Sequence, residues 1–401
     1  MLNGSLYAAT ASIIVLIFAY LWRSGGGRRR LPPGPHSNRS FFNVSKPVHI
    51  DPRGPWFTFD ALGKQAGPVS SFFLGKTPVI VLNKAQVAWD LLEKRGEIYS
   101  SRPRQIMAHE ILSGGMRGLS SPYEKYWRAW RKVQNTGMSG RASLTYREHQ
   151  TLESCVLLRR LLEDTSRYLE HLQLFAASIV LSISYGRRAT SLDNDIVQQN
   201  RDSIIAFQRA NLPGQFLVDT WPILLWLPVR ASEGTGARAL LTAYLYSDGC
   251  NGSVATPKRE DAEGTAKECM GSRSLLARDS YDVSDLELAY FLSTPFGPGI
   301  DTTVSSIEVF LLAAVWCPEV MKKAQAEIDR VVGRGRMPTF EDENALPYVR
   351  ALIKEVERCG SAQATARWRP IVPIGVPHSA VRDDEYDGMH IPKGATVYGN
   401  I

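Results

Sequence analysis

The stretch Ser284 to Ala314, SDLELAYFLSTPFGPGIDTTVSSIEVFLLAA, decides the fold of this chain, because it is a long apolar helix pattern with polar residues at its centre. Ser284 with Glu287 predicts a capping box at the beginning of the helix. Apolar residues then recur at helical spacing, which predicts one inward face. They are Leu288, Phe291, Leu292, Val304, Ile307, Leu311 and Ala314.

The centre of this helix carries an acid beside two hydroxyls, Asp301 followed by Thr302 and Thr303. Burying such groups costs free energy unless they are hydrogen-bonded or act on something in a cavity. Gly299 removes a side chain where a flat ligand could approach the backbone, and Pro298 removes a backbone donor, so we expect the helix to kink or open there. The structural alternative is a Pro-Gly turn between two shorter helices, with Asp301 as an ordinary N-cap.

The composition is that of a globular protein, with 401 residues of which 44% are hydrophobic and 22% charged. The net charge of +7 is spread along the chain apart from one N-terminal cluster. This distribution argues against a nucleic-acid partner and fits a protein near an anionic membrane. The five cysteines include no CxxC pair, so neither a zinc site nor a disulfide framework is indicated, and a reducing, cytosol-facing location is the default.

Residues 1–23 are predicted to form an N-terminal membrane anchor. Leu6 to Trp22 is apolar and short for a span, which would also fit a signal peptide. The arginines at 23 and 28–30 favour the anchor, because positive charge after the apolar stretch keeps the rest of the chain in the cytoplasm. Residues 24–35 are predicted to be a hinge that is flexible at first and stiff in its proline-rich part, LPPGP.

The globular body is predicted to span residues 36–401. Val69 to Asn83 reads as two strands joined by a turn. Residues 247–280 lose hydrophobic periodicity, which predicts a long loop or a disordered insert.

Two further helices carry candidate site residues. Trp127 and Arg131 stand four apart on a basic, aromatic helix; they are either an ordinary surface pair or two donors that hold the carboxylates of a buried ligand. Glu355 and Arg358 stand three apart, close enough for an ion pair that would be weak on a surface.

The order of these motifs resembles the cytochrome P-450 superfamily of haem-thiolate monooxygenases, especially its membrane-anchored fungal members. The resemblance covers the anchor and LPPGP hinge, the WxxxR of Trp127, the PGIDTT beginning at Pro298, the ExxR of Glu355, and the later PxGxPH and DDxYxGxxIPKG segments. The RWRP, PHS and IPKG pieces most resemble enzymes of the O-methylsterigmatocystin oxidoreductase type, which oxidise polyketide-type secondary metabolites.

The resemblance implies a mainly α fold with a small β region and a role for each candidate residue. Asp301 and Thr302 would be the catalytic acid and alcohol that supply protons for oxygen activation. The haem would be bound by Trp127, Arg131, Gly299 and His378, while Glu355 and Arg358 would form a buried structural ion pair. Arg367 is a second candidate partner for Glu355, because CGSAQATAR, residues 359–367, intervenes after Arg358 where the family has no such insert.

The resemblance also implies electrons from NADPH through a reductase, a small apolar substrate, and an endoplasmic reticulum membrane with the body facing the cytosol. The family's haem-ligand cysteine loop lies beyond Ile401, so the sequence is expected to be truncated, without a metal-ligand residue of its own. Two hypotheses result. One is a haem-dependent monooxygenase that inserts one oxygen atom from O2 into an apolar organic substrate; the other is an inactive remnant or membrane-bound binding protein.

Overall fold

The computed structural model describes residues 30–35, 48–75, 77–193, 195–211, 216–226, 268–360, 371 and 374–400. These residues form a predominantly helical body with a small mixed sheet and a separate β-hairpin. The predicted mainly α fold with a small β region is therefore confirmed. The predicted anchor, residues 1–23, lies outside the described residues.

The helices are numbered here in chain order. They are α1 Pro55–Ala66, α2 Ala85–Ala88, α3 Gly96–Tyr99, α4 Lys125–Met138, α5 Gly140–Leu144, α6 Arg147–Glu163, α7 Tyr168–Tyr185, α8 Asp195–Ala210, α9 Leu217–Thr220, α10 Met270–Leu276, α11 Asp285–Ser293, α12 Phe296–Trp316, α13 Pro318–Val331 and α14 Pro347–Gly360. Short π-helical turns lie at Trp89–Glu93 and Ile106–Ile111, and 3-10 turns at Gly118–Ser120, Thr165–Arg167, Pro222–Trp226, Arg278–Ser280 and Phe340–Ala345.

The sheet joins the two ends of the described chain. Its strands are β1 Val69–Leu74, β2 Thr77–Leu82, β3 His378–Ser379 and β6 Thr396–Gly399, in the order β1-β2-β6-β3. β1 and β2 form the predicted antiparallel pair, and β2 then pairs in parallel with β6, with Val79 opposite Thr396. Because β6 comes from the far end of the sequence, the sheet holds that end against the N-terminal part of the body.

The hairpin β4 Asp384–Tyr386 and β5 Met389–Ile391 turns at Asp387-Gly388, as the sequence predicts. Both turn residues have positive φ, 51° and 70°, which a two-residue turn of type I′ requires. Arg95 and Tyr99, on the helical segment after β2, each donate a hydrogen bond to Asp384 at 2.8 Å. The hairpin is thereby attached to the sheet side of the body.

The central helix is broken, but one turn earlier than its sequence predicts. The capping box of Ser284 and Glu287 is present at the beginning of α11. The chain turns at Thr294 and Pro295, and α12 begins at Phe296. Pro298 lies in the first turn of α12, where a missing N–H breaks no helical hydrogen bond. The alternative of two helices is therefore correct, but Asp301 lies inside α12 and is not its N-cap.

The predicted loop at 247–280 is wrong in its last third. Residues 268–280 form α10 and a 3-10 turn, and Met270 is fully buried. A Cβ on Gly137 of α4 would lie 2.3 Å from the Met270 side chain, so α10 packs tightly on α4. Its buried side consists of Met270 with the small residues Gly271, Ser272 and Ser274, so a search for apolar periodicity does not find this helix. Residues 247–267 lie outside the described part.

The proline-rich part of the predicted hinge is attached to the body. The backbone N–H and the hydroxyl of Ser71 in β1 donate to the carbonyls of Pro33 and Pro32, at 2.8 and 2.6 Å. A Cβ on Gly34 would lie 1.7 Å from the Ser71 carbonyl oxygen, so only glycine allows this approach. Residues 31–35 therefore act as a strap on β1, a name used below.

One described stretch, Asp285–Trp316, is long and apolar enough to cross a membrane by length and composition alone. It comprises α11 and α12, which pack on other helices of the body. α11 is almost wholly buried, with Leu288, Phe291 and Leu292 in the main apolar cluster. Only 11% of its most apolar 18-residue window is buried inside the described chain, so burial in the core does not account for the whole stretch.

Candidate functional site

The polar centre of α12 lies on a face that the described residues leave partly open. Asp301 is exposed and makes no hydrogen bond or ion pair with the described chain. The Thr302 hydroxyl donates to the Pro298 carbonyl at 2.7 Å, and Ser306 repeats this bond to the Thr302 carbonyl at 2.9 Å. With its proton used in this way, the Thr302 oxygen keeps lone pairs to accept a hydrogen bond. Ser306 extends the hydroxyl row by one turn, and the sequence reasoning did not single it out.

Gly299 lies where α12 crosses α7. A Cβ added there would come 2.8 Å from a methyl group of Val180, closer than real side chains approach. The absent side chain thus allows two helices to pack closely, which is a structural use of glycine. The expected contact of Gly299 with a flat ligand remains a prediction.

Trp127 and Arg131 lie on α4, one turn apart as predicted. Trp127 is half-buried and packs on Tyr123, with ring centroids 4.7 Å apart, while Arg131 is exposed. Neither side chain makes a hydrogen bond with the described chain, so the indole N–H and the guanidinium can each donate to a ligand. α4 itself is fixed to α11 by Trp130, whose indole N–H donates to Thr294 at 3.1 Å.

His378 in β3 lies beside an arginine that the sequence reasoning missed. Arg102 donates from Nη1 to the carbonyls of Val376 and Pro377, at 2.9 Å each, while its Nε is buried without a partner. His378 uses Nδ1 to donate to the Tyr99 carbonyl at 2.6 Å. Burial, assisted by the charge of Arg102, lowers the pKa of His378 from 6.5 to about 4. Its ring is therefore neutral at pH 7, and Nε2 has no partner in the described chain.

A short series of contacts connects these two groups of donors. The Ser101 hydroxyl accepts from the backbone N–H of Tyr123 at 3.3 Å, and Tyr123 packs on Trp127. The Ser101 carbonyl accepts from the N–H of Ser379 in β3 at 2.8 Å. Ser101 thus links the beginning of α4 to the strand that carries the histidine, with Arg102 next to it in sequence. The SSRPR stretch at 100–104 carries no motif that would have singled out Arg102.

These donors fit the carboxylates of the haem that the family resemblance implies. A propionate group is a paired oxygen acceptor, and Arg102 offers it a buried N–H that is otherwise unpaired. A carboxylate there would also favour the protonated form of His378, which would then donate from Nε2. Trp127 and Arg131 would add two further donors from α4.

Glu355 and Arg358 form the predicted ion pair on α14, with Arg358 Nε donating to Glu355 Oε2 at 2.6 Å and Nη2 to the other carboxylate oxygen. The expectation that this pair is buried is wrong for the described chain, since the two side chains are 55% and 45% exposed. A solvated pair of this kind stabilises a helix only weakly. Arg367, the alternative partner, lies outside the described residues.

A cavity of about 230 Å³ lies between α12, α13 and α14. Its lining is apolar apart from Glu355 and Cys317, and it includes neither Asp301 nor His378. The cavity is therefore separate from the donors described above.

Of the cysteines, three have described side chains. Cys155 and Cys317 are exposed, on α6 and after α12. Cys269 is buried, and its sulfur accepts from the backbone N–H of Ser272 in the cap of α10. In the part of the chain that the structure covers, no group of three or more His, Cys, Asp or Glu side chains is arranged to bind a metal ion.

Comparison with known proteins identifies the family. The family model "Cytochrome P450" matches residues 32–401. Cytochrome P450 monooxygenase 58 of Postia placenta is 37% identical over 372 residues, which is 92% of this chain and 68% of that protein. Cytochrome P450 monooxygenase claR of Ampulloclitocybe clavipes is 33% identical over 97% of this chain and 70% of its own.

The fold comparison agrees with the sequence matches. A zebrafish cytochrome P450, solved with abiraterone, superposes with a TM-score of 0.65 over 86% of this chain and 77% of its own, at 18% identity. At that identity the likeness shows the fold alone. The family model and the fungal relatives show more: this chain belongs to the cytochrome P450 family of monooxygenases.

Proposed function

We propose that the protein is a haem-dependent monooxygenase that inserts one oxygen atom from O2 into a small apolar organic substrate, with electrons from NADPH through a reductase. Beyond family membership, the observation that carries the proposal is the buried, unpaired Nε of Arg102 beside His378. A buried donor without a partner calls for a ligand that accepts from it. A haem propionate is such a ligand, and Trp127 and Arg131 complete the set of donors for it.

The bound haem would supply the redox chemistry that activates O2. The reaction consumes protons, because the second oxygen atom leaves as water. We propose that Asp301 and Thr302, which are neighbours on α12, supply these protons. Asp301 takes a proton from solvent, and Thr302, whose hydroxyl donates to the Pro298 carbonyl, orients a water molecule through its free lone pairs. Because neighbouring residues point about 100° apart on a helix, a bridging water is needed between the two.

The protein is proposed to act at the endoplasmic reticulum membrane, held by residues 1–23 with the body in the cytosol. The basic residues after that stretch support this orientation. A fungal secondary metabolite is the proposed kind of substrate, on the resemblance of the RWRP, PHS and IPKG segments. The match to fungal monooxygenases favours an enzyme over the alternative of a non-catalytic binding protein.

The test is haem loading of the expressed protein, followed by absorbance in the Soret region during titration with haemin. Arg102→Leu removes the buried donor and is expected to weaken haem retention at least tenfold, because hydrogen bonds to charged groups contribute about 1.5–3 kcal/mol. Arg104→Leu is the matched control, since Arg104 is exposed and pairs with Glu110 at the surface.

A protein that takes up no haem, or an Arg102→Leu variant that retains haem as well as Arg104→Leu does, would contradict the proposal. With haem bound, Asp301→Asn is expected to slow turnover and to increase the solvent deuterium isotope effect, because proton supply then limits the rate. An unchanged isotope effect would remove Asp301 from the proton route.

A further inference from the structure

The loop that follows α7 carries a run of basic residues directly before a threonine. Residues 186–193 read GRRATSLD, and Gly186 ends α7 in the left-handed conformation, with a φ of 69°. The four residues after it are neither helix nor strand, and Arg187, Arg188 and Thr190 are exposed. Two arginines thus stand two and three residues before a surface hydroxyl.

The loop is held against the body on both sides of its centre, and one of the two arginines has a structural role. Arg188 Nε donates to the carboxylate of Glu153, which is buried on α6 and needs a cationic partner. The N–H of Ala189 donates to a serine hydroxyl of α7 at 3.2 Å, and the carbonyl of Thr190 accepts from Arg160 Nη2 at 3.4 Å. The loop therefore has a fixed position, which leaves the Thr190 side chain at the surface.

Neither the Arg187 guanidinium nor the Thr190 hydroxyl makes a hydrogen bond or ion pair with the described residues. The neighbouring hydroxyl of Ser191 is already used: it donates to Asp193 Oδ2 and accepts from the Asp193 N–H, each at 3.1 Å. A cation and a hydroxyl that the fold does not use, three residues apart on a loop of fixed position, form a pattern that a partner protein can recognise by charge.

We propose that Thr190 is a phosphorylation site for a protein kinase that recognises basic residues before its acceptor. Arg187 would pair with an acidic side chain of that kinase. The γ-phosphoryl group of ATP is transferred: a bond forms between Thr190 Oγ1 and the γ-phosphorus, the bond from that phosphorus to the bridging oxygen of ADP breaks, and the hydroxyl proton passes to an aspartate of the kinase. The inference goes beyond the monooxygenase chemistry and needs only the proposed orientation of the body towards the cytosol, where ATP and such kinases are found.

The phosphate would lie among positive charges. It adds a charge of about −1.5 to −2 and three strong acceptor oxygens. Arg160 already contacts the Thr190 carbonyl, and Arg187 lies three residues before it, so charge-assisted hydrogen bonds can hold the phosphate on the loop. Arg188 is expected to stay with Glu153, because a buried carboxylate without its partner costs free energy.

The test is phosphorylation of the purified full-length protein in vitro, with ATP labelled at the γ-phosphate and the catalytic subunit of the cyclic-AMP-dependent protein kinase, which prefers arginines before its acceptor. The label on each chain is counted, and its position is mapped by mass spectrometry of peptides. In Thr190→Ala labelling is expected to fall to background, whereas Thr190→Ser is expected to retain it. Arg187→Leu is expected to lower kcat/KM of the kinase at least about tenfold, because it removes a charged contact.

Ser143→Ala is the matched control and is expected to leave labelling unchanged. Ser143 is exposed and follows Arg141 at a spacing of two, but it lies on helix α5, where its hydroxyl donates to the Gly140 carbonyl at 2.7 Å. A wild-type protein that is labelled no faster than Thr190→Ala, or labelling that is lost in Ser143→Ala or Ser191→Ala instead, would overturn the assignment. Labelling of Thr190 only after heat denaturation would also overturn it, because the fold would then not present the loop.

Discussion

Removal of the Glu327 carboxylate is expected to loosen the beginning of α14, the helix that carries Glu355. Glu327 lies on α13 and is 8% exposed. Its oxygens accept from the backbone N–H groups of Tyr348 and Val349, at 3.1 and 2.9 Å. Pro347, the first residue of α14, has no N–H, so one carboxylate from a neighbouring helix satisfies the first two donors that α14 has.

The stability lost on removal of the Glu327 carboxylate combines three overlapping contributions. Loss of a helix cap costs about 0.5–2 kcal/mol, a hydrogen bond to a charged group contributes about 1.5–3, and a negative charge at a helix N-terminus typically adds about 0.3–1. Because these describe largely the same interaction, we expect Glu327→Ala to cost about 2–3 kcal/mol in local stability. Glu327→Gln keeps one acceptor but loses the charge, so we expect about half of that cost.

Amide hydrogen exchange is the assay, because it reports on the two N–H groups directly. In Glu327→Ala, exchange at Tyr348 and Val349 is expected to become roughly 30- to 150-fold faster, from about 1.4 kcal/mol per tenfold. Glu319→Ala is the control on the same helix, since Glu319 is exposed and, among the described residues, pairs with Lys322. If the amides of Tyr348 and Val349 exchange as slowly in Glu327→Ala as in Glu319→Ala, Glu327 does not cap α14.

Three further predictions concern the sheet side and the helix crossing. Burial lowers the pKa of His378 from 6.5 to about 4, so as the pH falls the imidazole takes up a proton in the unfolded chain before it does so in the folded chain. The free energy of unfolding, measured with urea, is therefore expected to fall by up to about 3 kcal/mol between pH 6.5 and pH 4. Gly299→Val is expected to cost about 2 kcal/mol in the same assay, because the new side chain meets Val180. Gly34→Ala is expected to detach the strap and to accelerate exchange of the Ser71 amide, measured by hydrogen exchange.

Each of these three predictions has a control variant. His378→Gln is expected to reduce the loss between pH 6.5 and pH 4, and an unchanged loss would assign it to other groups. Gly335→Ala serves both glycine predictions, because a Cβ at Gly335 meets nothing within 4 Å. If Gly299→Val or Gly34→Ala behaves as Gly335→Ala does, the close approaches described above do not constrain the chain.

The features that could be predicted from sequence were those that depend on residues close together in the chain. The capping box at Ser284 requires only Glu287, three residues away, and the Asp387-Gly388 turn requires only the φ preferences of its own two residues. The pairing of Glu355 with Arg358 likewise results from a spacing of three on one helix. Family membership was also readable, because several short motifs occurred in one order.

The features that could not be predicted depend on residues far apart in sequence. The half-exposed state of the Glu355–Arg358 pair depends on the residues that pack over α14, which no spacing on that helix reveals. Helix α10 was read as loop because its burial comes from Gly137 of α4, which leaves space for Met270. The role suggested for Arg102 arises from its contact with the chain around His378, nearly three hundred residues later.

The sequence by itself determined the family, the helical class, and the caps and turns, and it predicted Asp301 and Thr302 as the acid and alcohol. Tertiary structure alone decided which donors are left unpaired. Arg102 belongs to no motif of the sequence, and only packing removes water from its Nε without providing a partner. The physical reason is that an unmet hydrogen bond costs free energy only after burial, and burial is a property of the folded chain.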